Sequence, residues 1–325
     1  MFKRGPAVLL LSGVLFSASA VSAAADFPNR PVRIVVPQPA GGGVDIYTRM
    51  ISQKLAETWG QQVIVDNRPG ANGIIAMEQV IKAKPDGYTL IAAFTSVLTI
   101  NPHVYKSLPY DTFRDLAPIV QTVTNTMVLV VHPNLPARSV KELVALGKSR
   151  PGELSYGSFG IGNLTHLAAE LLRVESGLKM VHVPYKGETP AITETISGQV
   201  GLLFATAVGV AGQIQNSRLR LLATCGEKRA SAYPDTPTMV ESGLPGVVVT
   251  GWGGTLAPAG TPREILGKTQ RDTARHLQGS ELSNRLAGMG SDPVGSTPEE
   301  FTAFLKAETV KWERVSKAAG IYKSQ

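Results

Sequence analysis

From Val32 to Ala223 the chain alternates short apolar runs with segments of helical spacing, and this alternation restricts the fold more than any single motif does. Val32–Val36 reads as a buried strand. Residues 44–58 follow, with Ile46, Met50, Ile51 and Leu55 spaced as the inner face of a helix. The pattern predicts further strands at 63–65, 89–93, 127–131, 154–156, 181–183, 202–204 and 219–223, and helices over 72–83, 139–148, 164–176 and 190–197. Ser139 with Glu142 is a capping-box start, and Thr297-Pro298-Glu299-Glu300 opens a helix in a mostly helical tail over 261–320. Short apolar strands divided by helices are covered on both faces, which is the habit of parallel sheets in α/β proteins.

At 325 residues the chain exceeds the size, about 250–300 residues, at which one core usually divides. The apolar, turn-punctuated stretches 117–131 and 244–258 are the expected crossings between two lobes. They place residues 26–122 and 248–325 in lobe 1 and residues 123–247 in lobe 2.

Residues 1–25 are expected to be a secretory signal rather than part of either lobe. Lys3 and Arg4 precede an apolar run over 7–16, and small residues follow to Ala25. Cleavage fits after Ala23 or after Ala25. The run is shorter than the ~20 residues of a spanning helix. The uncharged stretch 195–217 is likewise broken by Gly, Thr and Gln, and reads as a strand followed by a short helix.

Residues 1–25 hold two cations and no acids, which leaves 30 Lys and Arg against 25 Asp and Glu. That mild excess favours anionic ligands, while the lack of any Lys/Arg-rich block and an aromatic content of 6% argue against a nucleic-acid partner. Cys225 is the only cysteine, so no internal disulfide is expected. No two of His103, His132, His166, His182 and His276 stand at ligand spacing, so neither metal nor cofactor is expected.

Two glycine-rich turns carry the chemistry. Pro37-Gln38-Pro39-Ala40-Gly41-Gly42-Gly43-Val44-Asp45 joins a strand to a helix start. Its consecutive glycines are expected to leave backbone N–H groups bare at a helix N-terminus, which is an anion site, with Asp45 tying the loop down. Tyr156-Gly157-Ser158-Phe159-Gly160-Ile161-Gly162-Asn163 repeats the arrangement, with Ser158, Asn163 and Thr165 as added donors. In open α/β sheets ligands lie beyond the carboxyl ends of the strands, so two facing lobes would bring both turns to one crevice. The first turn lacks the Lys-Ser/Thr ending of a P-loop and the second is not G-x-G-x-x-G, which disfavours a nucleotide. A small carboxylate needs only a few such donors.

A catalytic reading is weaker. Ser158 with His166 or His182 is the best hydrolase pair, yet Gly157-Ser158-Phe159-Gly160 is not a nucleophile elbow and no Asp is placed to orient a base. His132 and His182 read as structural, His166 as a loop brace or a ligand contact, and Lys186 as a loop-bracing or surface lysine.

Ordered motifs then point to a family. They include Phe27-Pro28-Asn29-Arg30-Pro31, Pro39-Ala-Gly-Gly-Gly43-x-Asp45, Val65-Asp-Asn-Arg-Pro-Gly70, Pro85-Asp-Gly-Tyr-Thr-Leu90, His182-Val-Pro-Tyr-Lys-Gly187 and Ala257-Pro-Ala-Gly-Thr-Pro262. Across essentially all of the chain after residue 25, the sequence resembles the extracytoplasmic solute receptors of the tripartite tricarboxylate transporter system, the Bug receptors. The resemblance implies a two-lobed Venus-flytrap fold of type II-like form, each lobe a mainly parallel sheet flanked by helices. It also implies a monomer in the periplasm that binds a small-molecule carboxylate, partly through bridging waters, and delivers it to a membrane permease without a catalytic step. Carried over by residue, the first grip falls on Ala40, Gly41, Gly42 and Asp45, and the second on Ser158, Gly162, Asn163 and His166. Ser96 lines the cleft. Where the family usually has acids, this chain has Gly201 and Ala205. Ala205 removes a partner for a ligand ammonium or hydroxyl, so the expected ligand is a non-amino carboxylate, an aromatic acid or a simple di- or tricarboxylate. The same binding chemistry would serve a receptor feeding a signalling system, and a secreted serine hydrolase is the remaining alternative.

Overall fold

The computed structural model describes residues 27–325, so the expected signal at 1–25 lies outside the described residues. In chain order the first elements are β1 (Val32–Val36), α1 (Gly43–Trp59), β2 (Val63–Asn67), α2 (Ile74–Ile81), β3 (Thr89–Phe94), α3 (Asn101–Val104) and β4 (Leu116–Val131). There follow α4 (Val140–Ser149), β5 (Leu154–Ser158), α5 (Leu164–Ser176), β6 (Met180–Pro184), α6 (Glu188–Ile196), β7 (Leu202–Thr206), α7 (Ala207–Gln215) and β8 (Arg220–Thr224). The chain closes with β9 (Thr250–Pro258), α8 (Arg263–Gln278), α9 (Ser280–Ala287), β10 (Ser291–Pro293) and α10 (Pro298–Ala318).

Two sheets result. In the first, β2, β1 and β3 run parallel, β9 pairs antiparallel with β3, and β4 pairs antiparallel with β9. In the second, β6, β5 and β7 run parallel while β4 joins β7 and β8 antiparallel. The run 127–131, expected as a strand of its own, is therefore the end of one 16-residue strand shared by both sheets. The last β4–β9 pair is Thr126 with Thr250, and the next residue, Met127, opposes Thr206 of the second sheet. Register shifts between Pro118 and Val120 and between Gln121 and Val123 add the local twist that lets one strand turn from sheet to sheet.

The fold is thus a two-lobed α/β architecture. Val35, Ile91, Leu256, Phe301 and their neighbours form the core of one lobe. Leu129, Tyr156, Leu167 and Phe204 centre the core on one face of the second sheet, and Val130, Leu203 and Ala205 lie in an apolar cluster on the other. The cores do not divide strictly at 122 and 248. Ile100 and Val104 before β4, and Trp312 late in α10, pack into the second core. Helix α10 therefore runs across both lobes, from Phe301 and Leu305 in the first core to Trp312 in the second.

Candidate functional site

Strands β1, β3, β5 and β7 all end at one cleft, and the turns that leave them build its walls. After β1 the chain turns through Gly41, whose φ of 80° is left-handed, and enters α1. Asp45 in the first turn of α1 accepts Gly41 N–H at 2.9 Å and Asn67 Nδ2–H at 3.0 Å, and both its oxygens lie within 3.0 Å of Arg49 Nε. Burial pushes the carboxyl pKa up, but the bonds from Arg49, Gly41 and Asn67 outweigh it and hold Asp45 below the ordinary range. Asp45 is a brace for the loop.

The three glycine amides expected to be bare are each taken. Gly41 N–H goes to Asp45, Gly42 N–H to the Pro39 carbonyl at 3.4 Å, and Gly43 N–H to Glu188 Oε2 at 2.6 Å. Buried N–H groups are costly to leave unpaired, and the chain supplies its own acceptors here. Val44 and Asp45, the next two residues of α1, have amides without a partner among the described residues.

Glu188 belongs to the opposite lobe, as the first residue of α6, and is fully buried. Besides Gly43 N–H it accepts Thr206 Oγ1–H at 2.7 Å, and burial holds its carboxyl above the usual carboxylate range. Reading the sequence missed this residue, because an acid in a first helical turn is commonplace and nothing local marks it as buried. A carbonyl–hydroxyl bond crosses nearby: Thr189 Oγ1–H donates to the Ala40 carbonyl at 2.9 Å.

The second turn, after β5, passes through Gly160 (φ 132°) and Gly162 (φ 73°) to the N-cap Asn163, whose side chain accepts Thr165 N–H at 3.1 Å. Asn163 Nδ2–H reaches across to Asn72 Oδ1 at 2.9 Å. Leu164 N–H, at the head of α5, donates across the cleft to Ser96 Oγ at 3.0 Å. Ser96 opens a single turn of π-helix, Ser96–Ile100, directly beyond β3.

His166 acts within its own loop, with Nδ1 accepting Gly162 N–H at 3.1 Å. It stacks on His182 with ring centroids 4.1 Å apart, and His182 stacks in turn on Tyr156 at 4.8 Å. Burial, joined by the neighbouring His166, lowers the His182 pKa to about 4, and burial lowers that of His166 as well. Both rings are neutral at pH 7. His182 Nε2 lies 2.6 Å from Ser158 Oγ. This contact is the geometry of a serine–histidine pair, but no carboxylate among the described residues hydrogen-bonds His182 to orient it.

Two cavities occupy the cleft. The inner one, about 30 Å³, is lined by Val44, Ser96, Asn163, Leu164, Thr206 and Trp252, among others. The outer one, about 300 Å³, is walled by Gln38, Asn72, Phe94, Tyr105, Phe159 and Tyr185, with Lys186 the one cationic side chain among the described residues that line it. Gln38 is 6% exposed and its Oε1 has no hydrogen-bond partner among the described residues. Of the residues expected from the sequence, Ser96 and Asn163 line the inner cavity. Asp45, Ser158, Gly162 and His166 stand behind the wall and hold the two turns, Gly42 packs near Glu188, and Ala40 and Gly41 are exposed at the rim. Ala205 lines neither cavity; it is fully buried in the apolar cluster with Val128 and Leu203. Gln38, Asn72, Phe94, Glu188 and Trp252 were not legible as site residues.

Two α/β lobes joined by the shared strand β4, with the first turns of α1 and α5 lining the same inner cavity through Val44 and Leu164, define a two-lobed solute-binding protein. Comparison with known proteins gives the family. The model of the tripartite tricarboxylate transporter family receptor matches residues 47–321, and the chain belongs to that family. It is 32% identical to protein BugT of Bordetella pertussis over 317 residues, which is 96% of this chain and 97% of BugT. Among solved structures it is similar to an adipate-bound protein of R. palustris, with a TM-score of 0.89 and 33% identity over 91% of this chain and 99% of that one. It is also similar to MatC of Rhodopseudomonas palustris with bound malate, with a TM-score of 0.84 and 28% identity over 89% and 99%. Solute binding is the property that the family and these structures share with the fold described here.

Proposed function

We propose that the protein is a periplasmic receptor, exported by the segment 1–25, that closes its two lobes on a small organic carboxylate and presents it to the permease of a tripartite transporter. One observation carries the reading. The N-termini of α1 and α5, one from each lobe, point across the same cleft, and each already draws an acceptor oxygen from the other lobe: Glu188 to Gly43 N–H, and Ser96 to Leu164 N–H. The structures holding adipate and malate support the ligand class. An aromatic acid or a simple di- or tricarboxylate is the ligand foreseen here.

The energetics are sufficient without a metal. A hydrogen bond to a charged group is worth about 1.5–3 kcal/mol, so three or four of them, with apolar enclosure, reach the roughly 8 kcal/mol of micromolar binding. Closure follows because the ligand touches both lobes only when they meet, and so favours that state by its differential affinity. We place the hinge where β4 passes between the sheets at Thr126 and Met127, beside the start of β9.

A thermal-shift screen of the purified protein against organic acids tests the reading. The midpoint rises progressively with the concentration of a bound acid. A response to amino acids or sugars and to no simple organic acid overturns it.

A further inference from the structure

Three buried acids, Asp45, Asp272 and Glu308, each lie beside a lysine or arginine, whereas the more deeply buried Glu188 has no ion pair among the described residues. Its place is nonetheless built. Gly43 N–H and the Thr206 hydroxyl hold the carboxylate at 2.6 and 2.7 Å. Glycines from both lobes clear the space around it. A Cβ on Gly42 would stand 3.0 Å from Oε2, and one on Gly209 would overlap Oε1. The result is a niche of carboxylate size at the head of α1, filled by a carboxylate of the chain itself. Burial favours the protonated acid, but Gly43 N–H and the Thr206 hydroxyl both donate to Glu188 and so favour its charged form. A second carboxylate brought to the Val44 and Asp45 amides at the same helix end would stand against that charge in a cleft that screens it poorly.

We propose that Glu188 sets the ligand class: it takes the anion position at the head of α1, so the cleft accepts a monocarboxylate with an apolar or aromatic body and rejects a second carboxylate. The proposal rests on the carboxylate-receptor reading above and selects its aromatic-acid branch over its di- and tricarboxylate branch. The rest of the cleft agrees. Phe94, Tyr105, Phe159 and Tyr185 offer flat apolar walls to the ligand body. The Ser96 hydroxyl at the inner cavity, which accepts from Leu164 and keeps its own proton to donate, remains for the single carboxylate.

The test uses matched acids of one or two carboxylates, hexanoate with adipate and benzoate with terephthalate. Each is titrated calorimetrically into the wild-type protein, Glu188→Gln and Glu188→Ser, with circular dichroism as the check on folding. The wild type binds the monocarboxylate of a pair at least about tenfold more tightly, a ratio equivalent to ~1.4 kcal/mol. Glu188→Gln keeps the shape without the charge and lowers that ratio, and Glu188→Ser, which frees the α1 amide, brings it to about one or reverses it. Equal or tighter dicarboxylate binding by the wild type overturns the proposal, as does a ratio unchanged in both variants. If none of the four acids binds the wild type or either variant, the carboxylate-receptor reading falls and this inference with it.

Discussion

Asp45 and Glu188 are buried acids at opposite sides of one helix start, and their neighbours give them opposite tasks. Arg49, Gly41 and Asn67 saturate Asp45, so removing its side chain frees the first turn. Asp45→Ala should lower ligand affinity and cost about 1–3 kcal/mol of stability, since it leaves partly buried donors unmatched; calorimetric titration and urea unfolding check the two effects. His182 yields a pH prediction. Burial lowers its pKa from 6.5 to about 4, so the unfolded chain takes up the proton first as pH falls. Its neutral-ring stability is complete above pH 6.5, drains away between about 6.5 and 4, and changes no further below that. Unfolding measured at pH 7, 5.5 and 4 should show that slope, and His182→Gln should flatten it. Among the described residues the Ser158–His182 contact lacks an orienting carboxylate, so a fluorophosphonate probe should leave Ser158 unlabelled; covalent labelling there would instead point to a hydrolase.

Most elements were readable because helix ends and apolar periods are local. The start of α10 is an example: Thr297-Pro298-Glu299-Glu300 reads as a helix start, and there the Thr297 hydroxyl accepts Glu300 N–H while the Glu300 carboxylate accepts Thr297 N–H, a reciprocal cap that the structure adds. Thr297→Ala should cost about 1 kcal/mol in thermal unfolding and leave ligand affinity unchanged, because this end of α10 packs on the first core away from the cleft. At Ser139 the reading was half right. Its side chain accepts Glu142 N–H, but the Glu142 carboxylate returns to Arg138 N–H instead of closing the box. The turn Ser96–Ile100 was not readable. Its π geometry follows from chain packed on every side, all five residues being buried, and no residue type there announces it. The passage of β4 from one sheet to the other was hidden for a similar reason, since strand periodicity reports which faces are covered and not which neighbour covers them.

At the scale of the molecule, function rests on how closely two lobes meet, and glycine controls that distance. A Cβ on Gly43 would stand 2.5 Å from Thr206 Oγ1 and 2.9 Å from Val208 Cγ1, both in the opposite lobe. Gly43→Ala should therefore hold the lobes apart while each core stays folded. Its radius of gyration in solution scattering should exceed that of the wild type in saturating ligand, and affinity should fall by about tenfold or more, as steric overlap across a closing cleft is costly. Trp252 lies at the start of β9 and lines the inner cavity, with Nε1–H held by Glu308 of α10, so its emission is a direct reporter of that closure.

The amino-acid sequence by itself determined the α/β class, the two turns that face the cleft, the brace at Asp45 and the family, because each rests on local patterns — a turn, a helix start, a short motif — singly or repeated in order along the chain. Only the tertiary structure decided that the glycine amides of the first turn are already satisfied and that Ala205 faces an apolar cluster. It alone showed that Glu188, some 145 positions along from Gly43, supplies the carboxylate at the head of α1. The reason is physical: a hydrogen-bond donor at a helix end is a local property, whereas the acceptor that meets it is chosen by how two lobes pack.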